Sequence, residues 1–166
     1  MATSARAKPP TTPRTRYEDD LYAWVEEQVA LLRQGKLSEI DALNVAEELG
    51  DVGKSELWAL ESAISLLIMH LLKWDRQPAR RSRSWQAPID VQRLRIGKLI
   101  RRNPGLKSKI ADAIEENYPE GRAEAVRNTD LPYEAFPDAC PYTFDEMMSR
   151  PIEFEPQPRR RRKVSK

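Results

Sequence analysis

Between Leu57 and Trp74 the chain places Leu57, Leu60, Ile64, Leu67, Leu71 and Trp74 at intervals of three and four, with Ile68 and Leu72 widening the row. A helix turns once in about 3.6 residues, so these side chains fall together on one broad apolar face. A face that wide needs cover on more than one side. It predicts the central helix of a bundle, running over about 54–74. The apolar stretch 57–72 also carries Glu61, Ser62, Ser65 and His70 and is too short to span a bilayer, so no membrane partner is expected.

Shorter amphipathic segments flank this spine. Thr15 and Glu18 have the spacing of a capping box ahead of Leu21, Trp24, Val25, Gln28, Leu31 and Leu32, with Gly35 as the stop. Ser38 predicts the opening of a second helix carrying Ala42, Val45, Ala46, Leu49 and Val52. Gly50 and Gly53 each cost roughly 1 kcal/mol inside a helix, so a break or kink is expected there. The arginine-rich stretch Asp75–Ser84 reads as a loop, followed by a helix to about Arg102, with Trp74 and Trp85 packing across it. Asn103–Pro104 suits a helix start, and Pro119 predicts an interruption. Thr143 and Glu146 repeat the capping-box spacing before a short last helix. The expected fold is all-α, a single bundle of about five to seven helices over 16–150. A basic leader, 1–15, and a Pro/Arg-rich tail, 151–166, are expected to be disordered because neither can bury enough apolar surface.

The formal net charge of +2 conceals segregation. Residues 17–72 hold twelve acids against Arg33, Lys36 and Lys54; residues 73–109 hold twelve bases against Asp75 and Asp90; residues 110–158 hold twelve acids against three bases. A basic middle between acidic flanks implies either contacts within the chain or an anionic partner. Arg80, Arg81, Arg83, Arg95, Lys98, Arg101 and Arg102 are the candidate anion-binding residues. By helix spacing the basic side chains of 93–109 spread around the helix rather than sharing one face, which favours the intramolecular reading. The Arg159–Arg162 run offers a non-specific contact to nucleic acid.

Catalytic constellations are not legible. One histidine and one cysteine, Cys140, give no zinc-type ligand spacing, and no glycine-rich phosphate loop is present, so neither metal nor cofactor is implied. The single cysteine suits a reducing compartment, and a cytoplasmic location follows as the expectation. Arg93 shares the face of Ile89, Ile96 and Ile100, and a charge drawn inward needs a partner. Glu61, with Glu47 or Glu48, is the expected one, giving a candidate buried polar cluster of Glu47, Glu48, Glu61, His70 and Arg93.

Several strings resemble a known family. Tyr17–Trp24, Leu31–Gly35, Glu47-Glu48-Leu49, Met69–Trp74, Arg81–Trp85 and Phe136–Tyr142 occur in the order seen in the bacterial "domain of unknown function" family numbered twenty-nine. The resemblance covers about Tyr17 to Met148. It implies a small all-helical bacterial protein and no activity, so it transfers no catalytic role to any residue. Three functions remain as expectations. The leading one is a non-enzymatic helical interaction module binding a protein partner or itself. The others are an anion or nucleic-acid binder using 73–109 and the tail, and an enzyme around Glu47, Glu48, His70 and Arg93.

Overall fold

A computed structural model describes residues 15–153. Most of the tail expected over 151–166, and all of the leader except Thr15, lie outside the described residues. Every regular element described is helical: α1 (Leu21–Arg33), α2 (Ala42–Arg76), α3 (Arg83–Arg102), α4 (Ile110–Thr129) and α5 (Phe144–Ser149), joined by short 3₁₀ turns. The all-α class and the long central helix are as the apolar spacing predicts. The chain divides into two compact units, one ending at Val52 and the other beginning at Gly53.

In the first unit the start of α1 differs from expectation. Asp20 is the cap, accepting the Ala23 amide at 3.0 Å, and Thr15 instead donates its backbone N–H to Glu27 at 3.0 Å. The helix ends as read: Gly35 adopts φ +68°, which lets the Lys36 amide reach the Leu31 carbonyl and the Gly35 amide the Leu32 carbonyl, each at 3.0 Å. That pair of bonds satisfies carbonyls a helix end otherwise leaves open. Trp24, Gln28 and Leu31 are buried, and Tyr17 meets Trp24 edge-on with ring centroids 5.0 Å apart. Ser38 falls in a 3₁₀ turn, and Asp41 precedes α2, its carboxylate accepting the Asn44 amide at 3.3 Å.

The expected break at Gly50 and Gly53 does not occur. The second and third predicted helices are one helix, α2, of 35 residues. Both glycines are exposed, and nothing lies within 4 Å of a Cβ built at either, so they weaken the helix without a packing reason to bend it. α2 is also longer than its apolar core suggested. By length and composition alone it could cross a membrane, but half of its apolar window is buried inside the fold, as a core helix requires.

In the second unit, Leu60, Ile64, Leu67, Ile68 and Leu71 of α2 are fully buried, with Ile89 and Ile96 of α3 and Met147 of α5. Trp74 is buried, while Trp85 packs against this core half-exposed, with the Lys73 ammonium 4.8 Å above its ring. α4 packs tightly on α2 at Gly121: a Cβ there would lie 2.8 Å from the Ser65 carbonyl oxygen and 2.9 Å from Ile68 Cγ2. Pro119, expected to interrupt, sits inside unbroken α4. Both Pro119 and Glu115, whose carbonyl loses its amide partner, are exposed, so water can replace the missing bond. The capping box ahead of α5 forms as read, with Thr143 accepting the Glu146 amide and Glu146 accepting the Thr143 amide.

Candidate functional site

Arg93 does not take the carboxylate partner expected for it. Arg93 does turn inward, but its partners are main-chain carbonyls: Nε donates to Met147 at 2.7 Å and Nη2 to Arg150 at 2.9 Å. Glu47 and Glu48 lie in the first unit, where Glu48 accepts the Tyr17 hydroxyl at 2.6 Å and Glu47 is exposed. That bond to a carboxylate pushes the Tyr17 hydroxyl up to about 12. Glu61 and His70 are nine residues apart on α2, which puts them on opposite sides of the helix, about 180° apart. Within the second unit, Glu61 and His70 therefore share no face of α2. Among the described residues no three His, Cys, Asp or Glu side chains are placed to hold a metal ion.

His70 is partly buried, and burial, reinforced by Lys73, lowers its pKa to about 4. Between pH 6.5 and about 4 the unfolded chain takes up a proton here that the folded chain refuses, so stability falls as pH drops through that window. The loss, discounted for partial exposure, should be about 1–2 kcal/mol. Urea denaturation from pH 7 to 4 should show this slope in the wild type and a shallower one in His70→Gln. Equal slopes would remove His70 as its source.

Polar side chains that sequence reasoning missed converge on the segment after α4. Asp75 accepts from the Tyr142 hydroxyl at 2.7 Å and from both terminal nitrogens of Arg150 at 3.0 and 2.8 Å. Burial first, and then this bond, drive the Tyr142 pKa well above its ordinary value. Arg122 donates to the carbonyls of Tyr133 and Phe136 at 3.0 and 2.9 Å and pairs with Asp138 at 2.9 Å. The Tyr118 hydroxyl donates to the Pro137 carbonyl at 2.6 Å, and the Cys140 thiol, raised by burial, points to the Tyr142 carbonyl. Residues 131–152 thus form a strap tied to α2, α3 and α4. These contacts, with the half-buried Cys140 thiol among them, anchor the strap to the helices.

The basic residues of α3 are better gathered than expected. Arg83, Arg95, Lys98, Arg101 and Arg102 are all exposed and fall within about 120° of α3's outward side, around Val91 and Leu94. Arg80 is exposed on the preceding turn. Arg81 is turned away, donating to the Trp74 carbonyl at 2.9 Å with its guanidinium over the Trp74 ring. Arg102 reaches Glu56 at 3.3 Å, and Asn103 donates to the same carboxylate at 2.8 Å. Beside the α2–α4 crossing runs a groove of about 460 Å³ lined by Trp58, Glu61, Ser62, Leu66, Glu120 and Glu124 among others.

The class these features define is a small all-α protein with a strapped helical core and open apolar and charged helix faces. Residues 16–151 match the family described as "Domain of unknown function DUF29". The chain belongs to that family. No curated protein and no solved structure matches it.

Proposed function

We propose that the chain is a helical interaction module whose first unit docks a protein partner. The observation that carries this reading is on α1. Beside its buried stripe of Trp24, Gln28 and Leu31, a second apolar stripe of Leu21, Val25 and Leu32 spans three turns and faces solvent. Leu43, Leu49 and Val52 on the first turns of α2 are exposed as well, Leu43 by 85%. A unit this small exposing so many large apolar side chains has the character of an interaction surface. The exposed acids of this unit, Glu18, Asp19, Asp20, Glu26 and Glu47 among them, outnumber its exposed bases Arg16, Arg33 and Lys36, which favours a partner whose docking face carries cations.

A triple change, Leu21→Ser, Val25→Ser and Leu32→Ser, should abolish capture of that partner from native lysate while leaving the helical circular dichroism intact. Retention of the same protein by wild type and variant would refute the assignment. A second reading, anion or nucleic-acid binding, is supported by the shared basic face of α3. The same capture should be read for nucleic acid, with and without residues 159–166. With Cys140 as its one cysteine, the chain is placed by this reading in the cytoplasm of a bacterium, as a core over 16–150 between basic ends.

A further inference from the structure

We propose that the groove between α2 and α4 receives the outward face of α3 from a second copy of the chain. This goes beyond the first-unit reading and uses a different surface, so the two stand or fall separately.

α4 touches α2 at Gly121, against the Ser65 carbonyl oxygen, and Ser65 also lines the groove. Its wall carries Trp58, exposed by 65%, and the half-buried Leu66; its rim carries carboxylates from both helices. On α4, Asp112, Glu116, Glu120 and Glu124 recur every four residues; Glu120 and Glu124 line this groove, and Asp112 and Glu116 line the neighbouring recess, which shares Glu61 with it. Arg127 closes one end, paired to Glu124. The result is a concave surface with apolar walls and a mostly acidic edge.

The α3 face has the complementary form. Val91 and Leu94, exposed by 55% and 71%, make a convex apolar ridge bordered by Arg83, Arg95, Lys98 and Arg101. A helix ridge entering a groove between two helices is an ordinary mode of helix packing, and here the charges at its borders match in sign. Both surfaces face solvent in the single chain. Other occupants fit less well. The Arg159–Arg162 run brings cations, but its nearest large apolar side chains in sequence, Phe154 and Val164, stand singly rather than as a paired ridge, and the carboxylates of the groove repel a polyanion. Reciprocal docking closes as a two-fold pair; otherwise the contact propagates around a ring.

The test is the mass of the full, nuclease-treated chain by sedimentation over a range of concentrations. A multiple of 19.2 kDa is expected, weakening with salt. Arg95→Glu with Lys98→Glu should raise the apparent dissociation constant by about tenfold or more, and Glu116→Lys with Glu120→Lys should do the same. All four changes together in one chain should restore assembly toward wild type. A monomer at every concentration would overturn the proposal, as would an assembly indifferent to both reversals or four-fold reversal without rescue. Assembly that responds to the Leu21, Val25 and Leu32 changes but not to the charge reversals would place self-contact on the first unit. That outcome rejects the groove and leaves the interaction-module reading intact. Loss of all partner capture with a persistent, charge-sensitive assembly would do the reverse.

Discussion

Replacing Gly121 by alanine is expected to destabilise the protein by about 1–3 kcal/mol, although alanine is the better helix former. The added methyl would lie 2.8 Å from the Ser65 carbonyl oxygen, a backbone atom that moves only if α2 moves with it. Ile68, fully buried at 2.9 Å, has little room to yield. The propensity gain, about 1 kcal/mol, is smaller than the cost of spreading two packed helices. Gly50→Ala and Gly53→Ala provide the contrast. No atom stands within 4 Å of either new Cβ, so each should raise stability by about 0.5–1 kcal/mol. Urea denaturation of the three variants measures both signs. A stabilised Gly121→Ala would mean that the close crossing of α2 and α4 is wrong.

Arg93→Met should cost about 2–4 kcal/mol. The methionine fills similar space but donates nothing, so the Met147 and Arg150 carbonyls lose hydrogen bonds from a charged donor, each worth about 1.5–3 kcal/mol, less what water recovers at a half-buried site. The loss should also loosen the strap locally, since Met147 is fully buried beside the anchor. Denaturation gives the total, and hydrogen exchange at 144–150 shows where it falls. Unchanged protection of α5 would show that Arg93 does not hold this segment.

What could be read from the sequence, and what could not, follows one physical division. The 57–74 stripe was legible because burial of a whole helix face is written in side-chain identity at fixed spacing. Gly50 and Gly53 misled, since a penalty of about 1 kcal/mol each is small beside the continuity of a helix anchored by so long a buried stripe. Pro119 misled similarly, its lost bond falling where solvent can repair it. The same capping-box spacing succeeded at Thr143 and failed at Thr15, where Asp20, closer to the first apolar turn, takes the amide instead. Arg93 shows the limit most clearly. Its inward direction was written in the helix period, but its partners were carbonyls. Every residue offers a carbonyl, so no residue type announces one. The expectation that the α3 cations spread around the helix fails on the helix period itself, which sets Arg95, Lys98, Arg101 and Arg102 within about 120° once inward Arg93 is set aside.

The strap also bears on how freely the chain can vary. Arg93, Arg122 and Tyr118 all grip 133–150 by its main chain, which is chemically the same whatever side chains it carries. The specificity of the attachment therefore resides in the helices, not in the segment they hold. Apart from Asp138, Tyr142, Arg150, the Thr143–Glu146 capping pair and the few residues buried beneath it, the strap is free to change letters while keeping its path, leaving much of its outer surface open to adaptation without disturbing the core.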